Sequence, residues 1–210
     1  MKERVMERDL RILRWAGEQY AARLDHVRVL MGVTTMPSIY NMMKRLRKAG
    51  LAQTQRVLEG QPLWVVPTKL GLEVCELPYR AWSLRLGSVM HVGAICDVRV
   101  HIEERSPGME WVSERRLMLQ MRAKGRAVPD GVAIVAGRRA AIEVELSHRT
   151  DGSLRRVLDE RSRCYDGVVY YCAPETYRQL TRVRESEPAR WPTLAIRELP
   201  PPPPPAKEYR

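Results

Sequence analysis

The sequence predicts a mixed α+β protein composed of two domains and a tail. Apolar residues recur at helical spacing through the first 50 residues, and a hairpin pattern follows them. Beyond residue 105, short apolar runs alternate with amphipathic helices, which is typical of an α/β sheet domain. A run of prolines, Pro200–Pro205, then ends the regular pattern. We therefore place the boundaries at 1–80, 81–199 and 200–210.

The first domain is predicted to begin with three short helices. Apolar spacing marks one helix in RDLRILRWAGEQ, with Asp9 as its N-cap, and a second in ARLDHVRVLMG. A third helix is predicted between Pro37 and Gly50, because proline suits a first turn and glycine a helix end. The segments LAQTQRVL and QPLWVVPT, joined by a turn at Glu59-Gly60, predict a β-hairpin, and TKLGLEVC predicts a further helix.

The third predicted helix presents a polar and basic face. Its order among the other elements, and the phrase LRKAGLAQTQRV…QPLWVVPTKLGLEV, resemble a bacterial winged helix-turn-helix. That resemblance implies that the helix lies in the major groove of DNA. The side chains expected to face DNA are Ser38, Asn41, Lys44, Arg45 and Lys48, with Arg56 and Gln61 near the hairpin tip. Asn can read adenine and Arg guanine, whereas Lys mainly neutralises phosphate. The alternative is a solvated face on a protein-binding module.

Charge and composition agree with a polyanion partner. The chain has 36 Lys+Arg against 25 Asp+Glu, a net charge of +11. The N-terminal sequence lacks the apolar core of a signal peptide, and the four cysteines lack metal or redox spacing. We expect a cytoplasmic protein with no membrane segment. The histidines never form the His-x-His pair that a rolling-circle initiator or relaxase needs for its metal.

The second domain is predicted to follow the order αβββαβαβ. SLRLGSVMHVGAICDVRVHIEERS reads as one long helix and EWVSERRL as a strand. RAVPDGVAIVA and RRAAIEVELS form a hairpin, and DGSLRRVLDERSRCY, GVVYYCA, PETYRQLTRVRESE and TLAIREL continue as helix, strand, helix and strand. Runs that are apolar on both sides predict a mixed sheet covered by helices on both faces.

Three carboxylates fall on the predicted hairpin of this domain. A tight turn at Gly137-Arg138 would place Asp130 opposite Glu145, with Glu143 on the same face. Carboxylates this close cannot all ionise cheaply unless a proton, a cation or an arginine intervenes. Bound Mg²⁺, or Mn²⁺, is the commonest oxygen-ligated solution, so the three acids are candidate metal ligands.

The same residues resemble the PD-(D/E)xK nuclease signature and its restriction-endonuclease-like fold. Pro129-Asp130 and Glu143 match the motif, whereas Glu145 stands where the signature has lysine. The resemblance implies that Asp130 and Glu143 hold the metal and that Glu145 ligates it or orients the attacking water. The electrostatic help of the lysine would then have to come from an arginine, either Arg149, Arg155 or Arg156.

Together the two domains resemble the replication-relaxation family of plasmid and mobile-element proteins. The likeness rests on the layout from Asp9 to Leu72, on HVGAICDVRV and on VPDG…IEVELS. It implies a DNA-binding role in replication or transfer and does not by itself imply nuclease activity. Our preferred interpretation is a DNA-binding protein whose nuclease-like domain has degenerated. Two alternatives remain open: an active Mg²⁺-dependent DNA endonuclease, or a transcriptional regulator whose second domain serves homodimerisation or ligand sensing. The proline run predicts a stiff, mobile end, or a ligand for a protein partner with an aromatic groove.

Overall fold

The computed structural model describes residues 4–57, 59–60, 62–121 and 127–204. These residues form a mixed α+β structure with two sheets. The elements are α1 (Glu7–Glu18), β1 (Ala22–Arg23), α2 (Leu24–Met31), α3 (Pro37–Lys48), β2 (Ala52–Gln55), β3 (Trp64–Pro67), α4 (Lys69–Val74), α5 (Leu86–Arg105), β4 (Glu110–Ser113), α6 (Glu114–Met121), β5 (Gly131–Val135), β6 (Arg138–Glu145), α7 (Asp151–Cys164), β7 (Gly167–Cys172), α8 (Pro174–Ser186) and β8 (Leu194–Glu198). In the described part of the chain, none of the helices combines the length and apolarity needed to cross a bilayer.

The first sheet belongs to the N-terminal unit and has three antiparallel strands in the order β1-β3-β2. The three helices, the hairpin and the following helix occur in the predicted order, and α3 begins at Pro37 as predicted. The short strand β1 was not predicted, because two residues are too few to show an alternating pattern. It pairs with the outer part of β3, so Trp64 and Val65 have neighbours on both sides.

The chain divides into two compact units, and the division along α5 falls between Val100 and His101. Of the described residues, those from 4 to 100 and from 202 to 204 form one unit, and those between 101 and 201 form the other. The division falls inside α5 because the buried side of this helix, including Val89, Val92 and Cys96, packs into the N-terminal core. Pro202, Pro203 and Pro204 group with the N-terminal unit, whereas Pro200 and Pro201 group with the second unit.

The second unit contains a five-stranded mixed sheet in the order β4-β5-β6-β7-β8. The first three strands form an antiparallel meander, and β7 and β8 continue it in parallel. Leucines of α7 and α8 pack with Tyr170 of β7 in one core cluster. On the alternate position of the same strand, Tyr171 makes an edge contact with His101 at 6.2 Å between ring centroids. Consecutive strand residues face opposite sides, so both faces of β7 are covered by helical residues.

One predicted strand, EWVSERRL, is wrong over its second half. The strand β4 ends at Ser113, and α6 begins at the next residue. The Ser113 hydroxyl oxygen accepts a hydrogen bond from the backbone N–H of Arg116 at 3.4 Å, and Glu114 lies in the first turn. Both features favour a helix start. The serine hydroxyl accepts a hydrogen bond from an N–H group of the first turn, and the negative charge of Glu114 is attracted to the positive end of the helix dipole. The observed order is therefore α5-β4-α6-β5-β6-α7-β7-α8-β8.

Candidate functional site

The exposed face of α3 is polar and basic and lacks acidic side chains. The helix contains no Asp or Glu, and its buried stripe is Ile39, Met42, Met43 and Leu46. The exposed residues on its other side are Ser38, Tyr40, Asn41, Lys44, Arg47 and Lys48. Four of the five DNA contacts predicted on this helix, the serine, the asparagine and the two lysines, therefore lie on its exposed face. Arg47 also lies on it and was missed, because its position falls between the two stripes that the helical spacing defines.

Arg45 differs from the other predicted contacts, because its guanidinium is already engaged. Its Nε and one terminal nitrogen each donate to the Asp9 carboxylate at 2.8 Å. Asp9 is fully buried, and it also accepts the backbone N–H of Met6 at 3.1 Å. Asp9 therefore sits three residues inside α1 as a capping-box acid and is not the predicted N-cap. A buried bidentate ion pair of this kind fastens α1 to α3, so the structure gives Arg45 a structural role.

The hairpin that follows α3 carries the remaining predicted contact. Arg56 is exposed just after β2, and Gly60 adopts a positive φ of 75° in the turn, as expected for a glycine at a tight bend. Gln61, the other residue predicted near this tip, lies outside the described residues. Arg56 is thus placed on the same unit as the exposed face of α3.

The acidic hairpin of the second unit has a different register from the predicted one. The turn consists of Ala136 and Gly137, which both have positive φ, 49° and 78°, and Val135 pairs with Arg138. Positive φ at both central residues is the requirement of a type I′ turn, whose twist suits a β-hairpin. The strands are shifted by two residues relative to the prediction, which leaves every side chain on its predicted face. Continued by one residue, the register places Asp130 opposite Glu143 instead of Glu145.

Asp130 and Glu143 lie close together beneath α7. An arginine of that helix, Arg161, contacts Glu143. The Asp130 carboxylate accepts the backbone N–H of Val144 at 2.7 Å. Arg161, on α7, donates from its Nε to Glu143 at 2.5 Å and from a terminal nitrogen to the Ala127 carbonyl at 2.8 Å. Burial and then the neighbouring Asp130 carboxylate raise the pKa of Glu143 to about 7, although Arg161 favours the ionised form. A proton, a cation or an arginine could relieve the repulsion between these neighbouring carboxylates, and the structure shows an arginine.

Glu145 has a separate environment. It is buried, it forms an ion pair with Arg149, and its carboxylate accepts hydrogen bonds from the backbone N–H and the hydroxyl of Ser147 at 3.3 and 3.2 Å. Since Arg149 and Arg161 hold the two glutamates, the carboxylate oxygens already have cationic partners. No three His, Cys, Asp or Glu residues within the described ranges could hold a metal ion together.

The arginines that the sequence suggested as substitutes for the motif lysine occupy other positions. Arg149 holds Glu145, and Arg155 donates to Glu187 at 2.6 Å. Arg156 is exposed on α7. The arginine beside the acids is Arg161, which sequence reasoning missed because it lies 18 residues beyond Glu143. Its signal in the sequence was its place on the buried stripe of α7, at helical spacing from two buried leucines.

A second buried charge cluster lies in the N-terminal unit. The Arg23 guanidinium donates to Asp97 at 2.5 and 3.3 Å and to Asp25 at 3.1 Å. His26 is fully buried, accepts the backbone N–H of Arg23 at its Nδ1 and lies 2.8 Å from Asp97 through its Nε2. Burial lowers the pKa of His26, and its Nε2 also lies 3.1 Å from the Arg23 guanidinium. This cluster joins α5 to the start of α2.

Neither a protein-family model, nor a curated protein, nor a solved structure matched this chain. The function is therefore inferred from the exposed face of α3 and from the acidic hairpin of the second unit.

Proposed function

We propose that this protein binds duplex DNA through α3 and the hairpin that follows it, in the manner of a winged helix-turn-helix. The observation that carries the proposal is the exposed face of α3, where polar and basic side chains occur without any acid. DNA binding depends first on cations that replace the counterions of phosphates, and a helix of this kind can supply them inside the major groove.

Some side chains of α3 suit the recognition of bases, and others suit the neutralisation of phosphates. Asn41 can pair with the base edge of adenine, and Ser38 can bond to a base or a phosphate. Lys44 and Lys48 lie one helical turn apart and would neutralise phosphates. The order of three helices, a hairpin and a further helix supports this assignment, because a winged helix-turn-helix has its elements in that order.

We further propose that the second unit is a nuclease-like domain without cleavage activity. The helix, the antiparallel meander and Pro129-Asp130 ahead of its second strand support the nuclease-like fold. The pairing of Glu143 with Arg161 and of Glu145 with Arg149 supports the loss of activity, because a metal would have to displace both arginines. The biological role that we propose, on the resemblance of the two domains to the replication-relaxation family, is DNA binding in the replication or transfer of a plasmid or mobile element.

The test compares two charge-matched double variants. Lys44→Ala with Lys48→Ala removes two exposed cations one turn apart on α3, and Arg178→Ala with Arg182→Ala does the same on α8. Fluorescence anisotropy with a duplex library at low salt should show a loss of roughly 10- to 100-fold for the first pair and little change for the second. The slope of log K against log salt should fall in magnitude by about 2 for the α3 pair only.

Two results would contradict the proposal. One is the absence of any duplex binding by the unaltered protein at low salt. The other is an equal loss for the two double variants, because general positive charge and not the α3 face would then account for binding.

A further inference from the structure

A cleft lies beside α3 in the N-terminal unit. It has a volume of about 490 Å³, and its walls come from the start of α2, from Met36 and Tyr40 at the start of α3, and from the residues around the β-hairpin turn, including Arg56 and Leu63. Tyr40 is 53% exposed and forms part of the cleft wall. The cleft therefore combines apolar and aromatic surface with cationic groups and one carboxylate, Asp25.

Prolines of the C-terminal run border this cleft. Pro202 and Pro203 form part of its lining, and the Pro204 carbonyl accepts a hydrogen bond of 2.6 Å from the Arg28 guanidinium. A polyproline segment makes no internal hydrogen bonds, so its carbonyl groups are available to such donors. Arg28 also has a buried Nε without a hydrogen-bond partner among the described residues, which leaves a donor for a further acceptor.

We propose that the cleft is the binding site for the chain's own polyproline segment, and that this segment competes with DNA. The competition rests on the proposed function, because Arg56 is one of the proposed DNA contacts and also lines the cleft. Tyr40 extends the overlap, since it lies one turn before Lys44 on α3. DNA that approached these residues would meet the prolines, and the tail would have to leave first.

The expected size of the effect follows from the population of the docked tail. The apparent dissociation constant for DNA equals the intrinsic one divided by the fraction of molecules whose site is open. A tethered segment needs only weak contacts to stay docked, because its effective concentration is high. We expect an open fraction of roughly one third to one tenth, and therefore a three- to tenfold gain in DNA affinity when docking is lost.

The test uses the full chain with Pro202→Gly, Pro203→Gly and Pro204→Gly, which removes the ring contacts and the extended preference of the segment. DNA affinity of this triple variant should rise by roughly three- to tenfold over the unaltered protein. A synthetic peptide with the sequence of residues 199–206 should bind the triple variant, shift the NMR signals of Tyr40 and Arg28, and lower its DNA affinity. The same peptide with glycine in place of its prolines is the matched control.

The possible outcomes distinguish failure of the polyproline site from failure of the proposed DNA binding. If the peptide binds the cleft but no variant binds DNA, the proposed function fails and the polyproline site stands. If the triple variant binds DNA no better than the unaltered protein, the competition is overturned. If the peptide leaves the signals of Tyr40 and Arg28 unchanged, the site itself is overturned.

Discussion

Replacing Glu143 by glutamine should change how the stability of the protein depends on pH. The Glu143 side chain is only 13% exposed, it contacts Arg161 at 2.5 Å, and its pKa in the folded protein is about 7. In the unfolded chain the carboxyl returns to its ordinary value of 4.5. Between these two values the folded protein holds a proton that the unfolded chain has released.

The direction of the effect follows from that difference in proton binding. A group that binds its proton more tightly in the folded state stabilises the protein at low pH, and this contribution is lost as the pH rises through the folded pKa. A tenfold change in proton affinity is worth about 1.4 kcal/mol, so a rise from 4.5 to about 7 corresponds to about 3 kcal/mol. Glu143→Gln has no proton to lose and should keep the free energy of unfolding that the wild type loses.

The measurement is urea-induced unfolding at about pH 4.5, 6 and 8 for the wild type and Glu143→Gln. The difference in unfolding free energy should move in favour of the variant by about 3 kcal/mol from the lowest to the highest pH. Glu198→Gln, an exposed carboxylate on β8, is the control and should show little relative change. Parallel pH dependence of the wild type and Glu143→Gln would refute the reasoning, because Glu143 would then titrate alike in both states.

Two further predictions concern the other ion pair and the metal. Asp9→Asn should lower the free energy of unfolding by about 3 kcal/mol, since it breaks a buried bidentate pair with Arg45, and thermal melting would measure this. Unchanged melting of Asp9→Asn would contradict the structural role of this pair. Addition of Mg²⁺ or Mn²⁺ should leave the melting temperature of the wild type and of Asp130→Asn unchanged, because arginines hold the glutamates. Metal-dependent nicking of plasmid DNA that disappears in Asp130→Ala with Glu143→Ala would favour an active endonuclease over our proposal.

Local chemistry accounts for what the sequence predicted correctly. Helix α3 begins at Pro37 and is followed by Gly50 with a positive φ of 70°, because proline suits a first turn and glycine tolerates the left-handed region. The faces of the acidic hairpin were also predicted correctly, since alternation along a strand depends only on neighbouring residues. The register was wrong by two residues, because either of two adjacent two-residue turns containing Gly137 agrees with the same alternation.

The sequence by itself determined most of the succession of helices and strands, although not β1 or α6. It also determined the basic face of α3 and the fact that the three acids share one face of the sheet. Tertiary structure decided which charges neutralise one another: Asp9 meets Arg45 across 36 residues, and Glu143 meets Arg161 across 18. It also decided that the prolines lie beside α3. The physical reason is that propensity and periodicity act over one or two turns of chain. The partner of a buried charge, by contrast, depends on how distant elements pack, and packing brings together residues that no local pattern relates.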